Sequence, residues 1–295
     1  MNLALLQARM GSTRLPGKVL KEINGIPIIQ TLINRVSQAK CIDKIAVVTS
    51  TNVEDDALEN YCNQNNILVF RGSVWDVLDR FYSAAKYFEA KEGDNIIRLT
   101  SDCPTHHGSA VDWVYEQFVK FGVDLFSNSN EDPHFLEDGF DVEVVRFSVL
   151  ENAFQNAKLH SEREHVIPYV KNSKKFTLGF RKMNDNCNFK LSVDTPSDFA
   201  FVEALFAEFG TRDFNINDVV HLLESKPELL KLNEESIINA GYAKSLREDN
   251  GILNKVRIVR KSVTIDTFNL NTSLKVRNSL FLIRLISLFI VPTPF

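Results

Sequence analysis

Apolar residues fall along this chain in short runs, and their spacing alternates between two periods. Leu3 to Leu6, Lys44 to Val48, Ile67 to Phe70, Asn95 to Leu99, Asp141 to Val145 and Phe189 to Val193 are compact apolar stretches, most of them rich in β-branched side chains. Runs of that length and composition predict buried strands. Between them, Ile28 to Val36, Ala57 to Cys62, Val77 to Phe88 and Val111 to Phe121 repeat apolar residues at helical spacing, and a further helix is expected to run to Phe209. Strands alternating with helices predict a parallel sheet covered by helices on both faces. Ligands of such sheets gather at the carboxyl ends of the strands, so the loop after each strand is where chemistry is expected.

Composition narrows the class. With 295 residues, 44% hydrophobic and 24% charged, the chain is globular and long enough for one large domain or two small ones. A formal net charge of -4 gives no bulk attraction for nucleic acid or an anionic membrane, so any phosphate must be bound by a local basic cluster. Cys41, Cys62, Cys103 and Cys187 form no C-x-x-C pair, the start has no secretory signal, and no uninterrupted apolar run of membrane-spanning length occurs. A reducing cytoplasm and no transmembrane span are the expectation. Charge then divides the chain: residues 251–295 hold seven basic side chains and one acidic one, against 27 and 37 in residues 1–250. We therefore expect a main domain at 1–250 and a separate basic and apolar tail at 251–295. The tail reads either as packing on its own domain or a partner subunit, or as a peripheral membrane contact.

Directly after the first expected strand comes Gln7-Ala8-Arg9-Met10-Gly11-Ser12-Thr13-Arg14-Leu15-Pro16-Gly17-Lys18. Glycines let the backbone turn tightly and bring N–H groups to phosphate oxygens, and Arg and Lys add charge-assisted hydrogen bonds to the same oxygens. The spacing is not that of a P-loop, since Val19 follows the lysine, and no G-x-G-x-x-G is present. On charge spacing alone the segment also reads as a basic surface loop turning at Pro16-Gly17. Two aspartates follow expected strands: Asp102 in Thr100-Ser101-Asp102-Cys103-Pro104, and Asp194 in Val193-Asp194-Thr195-Pro196. Each has a plain structural reading as well, Asp194 as a helix N-cap and Asp102 as the start of a turn.

Together these motifs resemble the cytidylyltransferases that activate sialic acid and KDO, most closely the spore coat polysaccharide biosynthesis protein F branch. The resemblance runs from Met1 to about Asp249. It implies a three-layer α/β/α, Rossmann-like fold with a mostly parallel central sheet, of the kind shared with nucleotide-sugar transferases. It implies that Ala8, Arg9, Gly11, Ser12, Arg14 and Lys18 receive the CTP triphosphate with Thr100 nearby, that Lys18, Arg14 and Asp102 are catalytic, and that Asp102 and Asp194 hold Mg²⁺. Many relatives carry a second acid where this chain has Ser192, which argues for one metal ion. Arg71, in Arg71-Gly72-Ser73-Val74-Trp75-Asp76, stands where relatives place an arginine beside the cytosine. Asp79-Arg80 in the same stretch reads as a helix ion pair.

The acceptor side is carried by Asp141 and Glu143 in Asp138-Gly139-Phe140-Asp141-Val142-Glu143, and by His165 in Glu162-Arg163-Glu164-His165. Taken alone, the two acids also fit a solvated strand face and the histidine a helix position. At Thr105-His106-His107 relatives usually carry an aliphatic residue and an acid; adjacent histidines diverge, so a two-histidine metal site is not expected. The reaction implied is attack of an acceptor oxygen on the α-phosphorus of CTP with loss of pyrophosphate. Its partners are CTP and a small acidic or phosphorylated acceptor for surface polysaccharide synthesis, without nucleic acid, and the assembly is a homodimer. A transferase using another nucleotide and a catalytically silent binding module are the alternatives.

Overall fold

The computed structural model describes residues 1–129, 137–236, 242 and 245–249. Both readings of the 251–295 tail lie outside the described residues.

The first strand shows how the layers arise. In β1 (Asn2–Gln7) successive side chains point to opposite faces, so Ala4 and Leu6 enter one apolar cluster and Leu3 and Leu5 another. A run apolar at every position is what a strand buried on both faces requires. β4 (Lys44–Ser50) and β6 (Asn95–Thr100) flank it in parallel, and β5 (Leu68–Gly72) extends the sheet beyond β4. β7 (Leu125–Ser127), β8 (Glu143–Arg146) and β9 (Leu178–Phe180) complete a sheet ordered β5-β4-β1-β6-β8-β7-β9, in which only β8 runs antiparallel to its neighbours. A separate hairpin pairs β2 (Glu22–Ile23) with β3 (Ile26–Pro27).

Helices cover both faces. α1 (Ile28–Val36), α2 (Asp56–Gln64), α4 (Gly108–Phe121), α8 (Pro196–Phe209) and α9 (Ile216–Ser225) bury their apolar sides in the cluster of Ala4 and Leu6. α3 (Val77–Tyr87), α5 (Phe147–Asn156) and α7 (Pro168–Asn172) bury theirs with Leu3 and Leu5, and the short α6 (His160–His165) ends beside α7. The result is the expected three-layer α/β/α arrangement. No helix among the described residues is long and apolar enough to cross a membrane.

One expected strand does not form. Phe189 to Val193 joins no ladder among the described residues, and the segment is instead fixed by Asp138, whose carboxylate accepts from the backbone N–H of Leu191 at 2.8 Å and from that of Ser192. Leu191 and Val193 are still fully buried, which is why their pattern resembles a strand. Burial and alternation specify an extended chain; a sheet neighbour is a separate condition that the sequence pattern does not report.

Candidate active site

The loop after β1 curls because Ser12 and Gly17 both donate their backbone N–H to Met10 O, at 2.9 and 3.0 Å. Gly17 closes the curl at φ 67°, in the left-handed region that a side chain disfavours. Asp55, at 2% exposure, ties this loop to the one after β4 by accepting from Met10 N at 2.7 Å and Ser50 N at 3.0 Å. Arg9, Gly11 and Arg14 face solvent, Ser12 is half-buried and Ala8 is buried. The loop thus presents cations outward on a backbone pinned from beneath.

Its last residue turns inward. Lys18 donates from Nζ to Asp102 Oδ2 at 3.0 Å, to Asp194 Oδ1 at 3.0 Å and to Val193 O at 2.7 Å, joining positions 84 and 176 residues away in sequence. Burial opposes the ammonium charge, but the two carboxylates outweigh it and raise the Lys18 pKa above its ordinary value. Asp102 shows the converse: burial alone would raise its pKa, whereas Lys18 holds it well below the usual carboxylate range. Lys18 is 11% exposed, and the aspartates 28% and 22%, so the carboxylates keep an open edge while the lysine does not. Arg14 reaches the same carboxylate, with Nη2 3.1 Å from Asp194 Oδ1.

Asp194 is not the cap of α8. Thr195 is, its hydroxyl accepting from Asp198 N at 3.2 Å, while the Asp198 carboxylate accepts from Asp194 N and Thr195 N at 3.0 and 2.9 Å. This capping box satisfies the helix end and leaves the Asp194 side chain to Lys18, Arg14 and Lys190, the last at 3.4 Å. Ser192 stands where a further acid was looked for, and its hydroxyl is taken up by Lys190 Nζ at 3.1 Å and Asp138 Oδ2 at 3.1 Å.

The remaining expected residues fall into two groups. Thr100 ends β6, its hydroxyl 3.4 Å from Cys103 Sγ. Arg71 lies in β5, and its guanidinium is engaged by Ser50 O, Asn52 O, Glu59 and Asp56 at 2.7–2.9 Å, which holds the loop after β4 against α2. Arg80 does not pair with Asp79 among the described residues; it is fully buried and donates to Ser73 O at 3.0 Å. Toward β8, Cys103 Sγ lies 3.6 Å from both Asp102 Oδ1 and Asp141 Oδ1, which places Asp141 one thiol away from the Lys18 cluster. Burial, reinforced by Asp138, Asp102 and Glu143, pushes the Asp141 pKa up to about 7. Glu143 is neutralised differently: burial would raise its pKa, yet Lys171 at 3.4 Å and Arg98 at 2.8 Å keep it low. His165 is bonded to Ser245 at 2.9 Å, and burial lowers its pKa to about 4.

Asp138, Lys190, Asp198 and Asp55 were not singled out from the sequence. Lys190 and Asp198 offered a signal, since each stands four residues from Asp194; Asp55 and Asp138 offered none, because their partners lie on remote segments or on backbone N–H groups.

Strands ending in a cationic loop, with one buried lysine clasping two half-open carboxylates, define the class as an α/β nucleotidyltransferase. The comparisons make this specific: the chain belongs to the cytidylyltransferase family, whose model matches residues 3–236, and it is a CTP-dependent enzyme of that kind. It is 31% identical over 239 residues to the spore coat polysaccharide biosynthesis protein SpsF of Bacillus subtilis, covering 77% of this chain and 95% of that one. It is 34% identical to a protein of Methanocaldococcus jannaschii over 78% of this chain and 93% of the other. A solved cytidylyltransferase of Leptospira borgpetersenii superposes with a TM-score of 0.72 at 29% identity, over 80% of this chain and 98% of that one.

Proposed function

We propose that this enzyme transfers CMP from CTP to a small acidic or phosphorylated acceptor, a sugar acid or a sugar or polyol phosphate used in surface polysaccharide synthesis, with release of pyrophosphate. The observation that carries the reading is Lys18 held at 3.0 Å from both Asp102 and Asp194 at the foot of the Arg9–Arg14 loop. Arg9, Ser12 and Arg14 would receive the triphosphate, with the backbone at Ala8 and Gly11 in close approach and Thr100 beneath. Lys18 and Arg14 would stabilise charge on the departing pyrophosphate. Arg71, through the loop it braces, would shape the cytosine pocket.

The donors at Asp102 and Asp194 suit Mg²⁺: they are hard oxygen ligands, half-open, and already arranged about a single cationic atom, Lys18 Nζ. When bound there, the ion would neutralise phosphate charge and polarise the α-phosphorus. With Ser192 turned to Lys190 and Asp138, the reading takes one ion and not two. On the acceptor side, Asp141 would accept a proton from an acceptor hydroxyl, a role an ionised acceptor phosphate makes unnecessary. Glu143 and His165 would line the same side. A two-fold homodimer working in the cytoplasm belongs to the same reading.

The test is pyrophosphate release with each of the four nucleoside triphosphates and Mg²⁺ across a panel of sugar acids, sugar phosphates and polyol phosphates. CTP with one acceptor class is the expected result; release with UTP or GTP in preference to CTP overturns the assignment.

A further inference from the structure

His106 is a buried histidine that nothing in the proposed reaction uses. It is fully buried, and neither ring nitrogen has a hydrogen-bond partner among the described residues, although its backbone N–H and C=O are bonded to Cys103 O and Arg35 Nε at 3.1 and 3.0 Å. Two orphaned ring nitrogens are costly, because a buried polar atom without a partner forfeits its solvation. His107, its neighbour, is accounted for: it caps α4 and bonds Asp213 at 2.9 Å. The neighbours of His106 are of a definite kind. A ring nitrogen of His106, Cys103 Sγ and a carboxylate oxygen of Asp141 all lie within 4.8 Å of one another. Asp141 is half-buried, and its one hydrogen-bond partner among the described residues is the Cys103 thiol.

We propose that Cys103, His106 and Asp141 form a site for a thiophilic divalent cation of the zinc type, separate from the Asp102 and Asp194 pair. Sulfur, imidazole and one carboxylate are the ligand set such ions select, and hard Mg²⁺ does not. Tetrahedral coordination wants donors roughly 3.3–3.7 Å apart; Cys103 Sγ and Asp141 Oδ1, at 3.6 Å, already have that spacing, and the His106 ring stands within 4.8 Å of both. Asp141, at the half-exposed end of the trio, would lend one carboxylate oxygen and keep the other for the acceptor side, leaving a fourth position open to water or to an acceptor oxygen. The chemistry of the pocket agrees. Burial keeps the His106 ring neutral, with its lone pair available, down to about pH 3. Cys103 Sγ lies 3.6 Å from both Asp102 Oδ1 and Asp141 Oδ1, so a dication entering this acidic pocket would displace the thiol proton to solvent and bind the thiolate. Gly139 brings the Asp141 segment close enough: it adopts φ 88°, and a Cβ there would lie 2.7 Å from Thr105 Oγ1.

Co²⁺ titration of the chelator-treated full-length protein tests this directly, because a thiolate ligand gives a near-ultraviolet charge-transfer band that carboxylates do not. The expected result is one Co²⁺ per chain with that band, displaced by Zn²⁺ and unaffected by excess Mg²⁺. Cys103→Ser should abolish the band, and His106→Leu should weaken Co²⁺ binding about ten-fold or more, with folding of both checked by thermal melting. Asp194→Asn separates the two metal readings: it should lower Mg²⁺-dependent turnover and leave the band intact. Absence of the band in the wild type, persistence of the same band and affinity in both Cys103→Ser and His106→Leu, or its loss in Asp194→Asn would each overturn the proposal.

Discussion

Lys18 is the residue through which the nucleotide reading stands or falls. Its ammonium pairs with two carboxylates at the foot of the Arg9–Arg14 loop, so removing it deletes a positive charge and leaves Asp102 and Asp194 to repel each other. Lys18→Ala and Asp102→Asn should each lower kcat at saturating CTP by about 100-fold or more, with thermal melting to separate misfolding from lost chemistry. Equal turnover in both variants and wild type would remove these residues from the mechanism. His165 makes a second prediction, on stability. Its ordinary pKa is 6.5 and its folded value about 4, so between those two values the unfolded chain binds this proton and the folded one does not. The histidine therefore favours the native state above pH 6.5 and weakens it progressively as pH falls toward 4. His165→Gln should flatten the loss of stability over that window in urea melts. The catalytic candidates were legible in the sequence because Arg, Lys and Asp beside glycine and proline after a strand carry a chemical reason for being there. His106 could be seen as a departure from the family pattern, but its lack of partners is a property of the packed interior.

At the scale of elements, the instructive case is the junction before α8. Thr195, Pro196 and Asp198 form a capping box with proline in the first turn, a combination that starts a helix wherever it falls. Because Asp198 also accepts from Asp194 N, the same cap fixes the backbone that carries the Asp194 carboxylate. Thr195→Ala should cost about 1 kcal/mol in chemical denaturation and reduce kcat/KM for CTP by a smaller factor than Lys18→Ala, since Asp198 retains its other bonds. A variant with unchanged stability would show that the hydroxyl contributes nothing to the cap. The helices were readable from apolar spacing and their end signals, and α1 falls at Ile28–Val36 as expected. The segment before α8 was misread as a strand because burial produces alternation with or without a ladder. The alternative reading of Asp194 as the cap lies one residue from the true cap, Thr195, because Asp and Thr are both good capping types.

Over the whole molecule, the site depends on the docking of segments that are far apart in the chain. Gly139 sits at that contact: a Cβ would lie 2.4 Å from the Leu191 Cβ, and its φ of 88° disfavours any side chain. Gly139→Ala should push the Asp138–Asp141 segment off the one leading to Asp194, lowering the melting temperature and weakening CTP binding together; calorimetric titration and thermal melting on the same sample would check the coupling. A variant that melts early but binds CTP normally would show that the site tolerates the displacement. By itself the sequence determined the layered α/β class, the strand and helix order of the first half, the cationic loop and the two aspartates, because periodicity and local turn chemistry are properties of neighbouring residues. Tertiary structure alone decided that Lys18 clasps both aspartates, that β8 runs antiparallel and that Asp138 anchors Leu191 and Ser192. It also decided that His106 shares a pocket with Cys103 and Asp141. Each of these depends on which distant backbone packs beside which, and that is set by the sum of burial over the whole core and not by any local pattern.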